Sequence, residues 1–233
     1  MMPMFGFDST MILLLPAMVF AMWAQWRVQH TYAAMSRVRA ANGMTGTDMA
    51  KSIMRRNGVT DVKVEEVGGT LSDHYDPRSK TVRLSAGIAR GDSLASIAVA
   101  AHEVGHVLQH AQGYAALAVR SGIAPVANIA SMAAFPLFFV GLIFNIPGLS
   151  KTLMDVGILL FSGVVVFHLV TLPVEFDASK RALAQLTGSG SIAPEEVAGA
   201  KRVLDAAALT YVAAAAMAAL QLLRFVMIRN SRD

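Results

Sequence analysis

The chain contains no cysteine. That excludes disulfides, thiolate metal sites and cysteine nucleophiles. Charge is also scarce: Asp, Glu, Lys and Arg make up 15% of the 233 residues, against about a quarter in soluble domains. Apolar residues reach 55%, with a mean hydropathy of +0.50, which excludes a disordered tail or an ordinary soluble protein. The net charge of +4 comes from Lys and Arg spread along the chain. With no basic block, no nucleic-acid partner is expected.

Four windows lack charged residues altogether: Ser9–Trp26, Ser121–Ser150, Val156–Val174 and Ala206–Leu223. Each is long enough for a membrane-spanning helix, which needs about 20 apolar residues. The alanine-rich last window has the weakest drive to insert. Met1–Asp8 carries no Lys or Arg, and no small-x-small cleavage site follows the first window. An uncleaved anchor is therefore expected, and Arg27, Arg37 and Arg39 on its far flank place that flank in the cytosol. If the two middle windows form a hairpin, the polar stretches 27–120 and 175–205 share one side of the membrane. Arg224, Arg229 and Arg232 fit that topology poorly, because four spans would place them outside.

In the first polar stretch, Thr47–Asn57 reads as an amphipathic helix closed by Gly58. Val62–Val67, Thr70–Tyr75 and Lys80–Leu84 read as short strands separated by Gly68-Gly69 and Asp76-Pro77 turns. Ser93 reads as the N-cap of a helix running to about Gln112.

That last helix contains His102-Glu103-Val104-Gly105-His106, an H-E-x-x-H pattern. Histidines four apart lie one turn above each other, so both imidazoles can bind one Zn²⁺. Glu103 sits beside them, where a carboxylate can take a proton from the attacking water. A catalytic zinc generally has three protein ligands. Gln112 stands where a metzincin would have its third histidine. His110 lies about 12 Å along the helix from His102, too far to share one ion. A carboxylate from a later helix remains. Glu175 follows the third apolar window directly, on the side carrying H-E-x-x-H. Asp177 competes with it, pointing about 200° away on a helix, so only one of the two should face the metal. His168, inside the third window, is a further candidate for the surroundings of the site or for pairing with another span.

The runs GGTLSDHYDPRSKTVRLS, AAHEVGHVLQH and LPVEFDASKRAL, in that order, resemble the YugP-like neutral zinc metallopeptidases of bacterial membranes. The resemblance covers most of the chain, and DHYDPR is its most specific element. It implies a membrane-embedded gluzincin, distantly similar to HtpX-type and CAAX-prenyl endopeptidases. In those relatives the third ligand comes from E-x-x-x-D after a transmembrane hairpin. The Glu corresponds to Glu175, but Ser179 stands at the Asp position, so the usual partner of a zinc-bound histidine is replaced. Asp177 or Asp73-His74-Tyr75-Asp76 could supply that partner. Gluzincins also pair an edge strand with the substrate peptide, a role open to Thr70–Tyr75 or Lys80–Leu84. His74 and Tyr75 each carry a donor suited to an oxyanion.

The expected protein is a mostly α integral membrane protein with about four transmembrane helices and a small α+β, zincin-like catalytic part. The expected divisions are spans at 9–26, 121–144, 156–174 and 206–228, a catalytic part at 27–120, and a helical segment at 175–205 supplying the third ligand. The expected activity is zinc-dependent endopeptidase hydrolysis with Glu103 as general base and His102, His106 and Glu175 as ligands. The expected partners are the lipid bilayer and a peptide or membrane-protein substrate, and the expected location is the cell membrane with the site facing the cytosol. The alternative is a non-catalytic zinc-binding membrane scaffold or assembly factor, in which Glu103 has no chemical role.

Overall fold

The computed structural model describes residues 9–144, 146–188 and 190–231. The Met1–Asp8 flank and Arg232, used above for topology, lie outside the described residues. Four helical stretches are long and apolar enough to cross a membrane: Thr10–Met35, Ala115–Ile143, Ser150–Gly188 and Pro194–Asn230. The elements run α1 (Leu15–Met35), α2 (Gly46–Arg56), β1 (Lys63–Val67), β2 (His74–Asp76), β3 (Thr81–Ser85), α3 (Ala86–Ala89), α4 (Leu94–Ala111), α5 (Ala115–Ile143), α6 (Ser150–Gly188) and α7 (Val197–Asn230).

Helix ends and apolar windows do not coincide. Helix α1 continues past Arg27 to Met35, and α6 passes Pro173 and Glu175 without a break. The stretch 175–205 is accordingly divided between α6, a turn region and the start of α7. The physical reason is that charge ends a lipid-soluble window, whereas caps and turns end a helix.

The described residues form two compact units: residues 9–23, 119–171 and 211–231, and residues 24–118 and 172–210. The first has an apolar core. Phe138 stacks on Phe225 with centroids 4.1 Å apart, and Phe135 and Phe161 meet Phe225 edge-on. A Cβ on Gly157 would lie 2.9 Å from the Ala134 carbonyl oxygen, so glycine permits a close helix approach here. Met132 is 78% exposed and Leu159 71%, an outward face suited to lipid tails.

The second unit holds a mixed core. Thr45 opens α2 with a capping box, its Oγ1 accepting from the Asp48 N–H and Asp48 accepting from the Thr45 N–H. The sheet has the order β1-β3-β2, with β1 parallel and β2 antiparallel to β3. Met49, Ile53, Leu84, Ile88, Leu94 and Ile97 are buried around it. Each such side chain stabilises the fold by roughly 1.5–3 kcal/mol.

Strand β3 is the central strand, so the Lys80–Leu84 stretch has no free edge to offer a peptide. This corrects one of the two substrate-strand expectations. The other stretch, Thr70–Tyr75, forms a strand only from His74, because Leu71 turns the chain with φ 54° and Asp73 is tied to the end of β3. Strand β2 keeps its outer edge unpaired within the sheet.

Candidate metal centre

Helix α4 begins at Ser93, whose hydroxyl accepts from the Ser96 N–H at 3.1 Å. From Leu94 to Gln109 it is buried on nearly every side, because its run of Ala, Ile and Val leaves no polar face until the motif. His102 and His106 stand one turn apart with edge-to-face rings, centroids 4.9 Å apart. Helix α6 brings Glu175, 2% exposed, to both of them. Glu175 Oε2 lies 3.3 Å from His102 Nε2 and 3.5 Å from His106 Nε2. Gly105 makes this approach possible: a Cβ there would lie 2.5 Å from the Ala178 carbonyl oxygen of α6.

These three residues offer ligand atoms that all lie within 4.8 Å of one another. The donor set, two imidazoles and one carboxylate, is zinc chemistry. Bonds of about 2.05 Å in a tetrahedron give ligand-to-ligand edges of about 3.4 Å, close to the two distances above. Burial by itself disfavours charge on His106, but Glu175 and Glu103 outweigh it and hold its pKa above the ordinary value. Glu103 is buried beside the pair and, among the described residues, makes no side-chain hydrogen bond or ion pair.

The remaining ring nitrogens are also engaged. The Ser179 hydroxyl lies 3.2 Å from His102 Nδ1, and Gln109 Oε1 lies 3.0 Å from His106 Nδ1. Gln109 Nε2 donates to the Val174 carbonyl at 2.7 Å and to Asp177 Oδ2 at 2.9 Å.

A family model described as "Putative neutral zinc metallopeptidase" matches residues 10–230. The chain belongs to the neutral zinc metallopeptidase family. Its cofactor is therefore Zn²⁺, and the buried His-His-Glu group is placed to bind it. A curated relative, "Putative membrane protease YugP" of Bacillus subtilis (strain 168), is 48% identical over 222 residues, covering 95% of this chain and 97% of the relative. No solved structure matches. The four apolar helices and this relative make the chain a membrane protein.

In this neutral zinc metallopeptidase the other sequence candidates fall elsewhere. Asp177 turns away from the three clustered ligand atoms and pairs with Arg181 at 2.5 Å, while still accepting from Gln109. Asp73 does not touch His102; it accepts from the Ser85 N–H at 2.7 Å, and burial raises its pKa despite that bond. His74 is exposed, its Nδ1 2.8 Å from the Ser72 carbonyl. The Tyr75 hydroxyl lies 2.7 Å from His110 Nδ1. Burial, aided by Asp61 and Asp76, pushes the Tyr75 phenol up to about 12. Tyr75, His110, Asp61, Lys80, Asn57 and Val107 line a cleft of about 440 Å³, which His102, His106 and Glu175 do not line. His168 is half-buried beside Phe167.

Gln109 was not foreseen. Its signal was available: a polar residue three positions after His106, hence on the same helical face as that histidine. Ser179 stood out in the sequence only as a departure, yet its hydroxyl sits beside His102.

Proposed function

We propose that this membrane protein is an endopeptidase of the gluzincin type, hydrolysing bonds in peptide or membrane-protein substrates. His102, His106 and Glu175 hold one Zn²⁺, which supplies Lewis acidity toward water and the scissile carbonyl. Glu103 takes the proton from the attacking water and delivers it to the leaving amine. Its position suits that role, because one residue after His102 it is turned about 100° round α4 and stays beside the ligands. The observation that carries the reading is the convergence of three buried donor atoms beside a carboxylate that, among the described residues, has no hydrogen bond or ion pair of its own.

The outer edge of β2 offers backbone groups to which an extended substrate can add as a further strand. His74 and Tyr75 are successive residues of that strand and face opposite sides of the sheet; of the two, Tyr75, on the side where it meets His110 of α4, is the donor we assign to the oxyanion that develops on the scissile carbonyl. We place the protein in the cell membrane with this site toward the cytosol, a topology supported by Arg37 and Arg39, which follow the first apolar helix.

Glu103→Gln tests the reading. The variant is expected to keep its zinc and lose roughly 10²- to 10⁴-fold in peptide turnover. Zinc content and turnover are measured on the same detergent-purified sample, and undiminished turnover would contradict Glu103 as the base.

A further inference from the structure

We propose that Gln109 is a positioning residue that fixes His106 as a metal ligand by relaying the charge of Asp177. The proposal rests on the zinc-site reading above and concerns what orients its second histidine.

Gln109 is fully buried, so the polar atoms of its side-chain amide must be satisfied inside the protein. Its Nε2 faces two groups that can only accept, the Val174 carbonyl at 2.7 Å and the Asp177 carboxylate at 2.9 Å. Turning the amide over would set its oxygen against both acceptors. The orientation is therefore determined, and Oε1 must face His106 Nδ1, 3.0 Å away. An amide oxygen only accepts. His106 must then carry its proton on Nδ1 and present the lone pair of Nε2, the atom that lies 3.5 Å from Glu175 Oε2. One tautomer is selected without a carboxylate touching the ring from that side.

The chain of contacts continues outward. Asp177 Oδ2 also accepts from Arg181 Nε at 2.5 Å, and Arg181 Nη1 donates to Gln112 Oε1. Asp177 polarises the amide, and the polarised Oε1 is a better acceptor for the imidazole proton, which raises the basicity of Nε2. The same side chain also ties α4 to the carbonyl of Val174, the residue before Glu175. Gln109 thus couples the positions of two ligands on different helices. Among the described residues, the partner of His102 Nδ1 is the Ser179 hydroxyl at 3.2 Å, so the two histidines are held unequally.

The test uses the full chain in detergent and measures zinc affinity by chelator competition. Gln109→Met, similar in shape but unable to accept and donate in this way, is expected to bind zinc about 10- to 100-fold more weakly. Asp177→Asn, which leaves Gln109 in place, is expected to cause a smaller loss. A second measurement does not depend on any Gln109 variant. In zinc-loaded protein labelled with ¹⁵N at histidine, His106 is expected to be protonated at Nδ1, and that resonance is expected to move in Asp177→Asn while that of His102 stays. A purely structural Gln109 would not shift it.

Gln109→Met binding zinc within twofold of wild type would overturn the proposal, as would a His106 Nδ1 resonance indifferent to Asp177. Wild type that binds zinc while these expectations fail overturns the relay alone. Wild type without zinc overturns the relay and the proposed function together.

Discussion

Both compact units have apolar cores, and they differ in the ionisable side chains they bury. The apolar unit closes on Phe138, Phe161, Phe225 and small residues, and turns Met132 and Leu159 outward. The site-bearing unit buries His102, Glu103, His106, Gln109 and Glu175 within a shell of Ala, Val, Ile and Leu. Both are mostly helical, so helicity alone does not distinguish them. A buried polar group generally needs a partner, and in the site-bearing unit Glu175 of α6 meets the two histidines of α4 while Gln109 joins the two helices. The apolar unit depends on packing, and the site-bearing unit depends on register between α4 and α6.

Three substitutions probe that contrast. Gly105→Ala should have the largest effect on the site, because the new Cβ would meet the Ala178 carbonyl and force α6 away. The expected result is lost zinc and lost turnover, with an overpacking cost of about 1–3 kcal/mol; zinc content and thermal unfolding together check it. Phe225→Ala should do the reverse. Its cavity costs about 3 kcal/mol, yet zinc stoichiometry should stay at the wild-type level. Loss of zinc in that variant would break the contrast between the units. Thr45→Ala should have the smallest effect, removing the α2 capping box at a cost of about 1 kcal/mol without altering zinc binding or turnover. Chemical denaturation would read that shift.

Much of this was readable in the sequence. Four charge-free windows foretold four apolar helices, and the capping serine at 93 foretold the start of the motif helix. Glu175 was reached by requiring a carboxylate on the same side of the membrane as the histidines, and it lies with them. The sheet was harder. Short strands carry little periodicity, and only pairing reveals that β3 is central and that residues 70–73 are not strand. The orienting contacts were harder still. Nothing in the spacing of Ser179 shows that a hydroxyl takes the place next to His102, or that the Gln109 amide stands between Asp177 and His106. Those facts depend on how α6 rotates against α4, which one residue without a side chain, Gly105, permits.

The most direct measurement is zinc stoichiometry by elemental analysis of purified wild type, His102→Ala, Glu175→Ala and Asp177→Ala. The expected result is one zinc per chain in wild type, loss in His102→Ala and Glu175→Ala, and retention with weakened affinity in Asp177→Ala. Zinc kept at full strength without Glu175, or lost only without Asp177, would contradict a centre built on His102, His106 and Glu175.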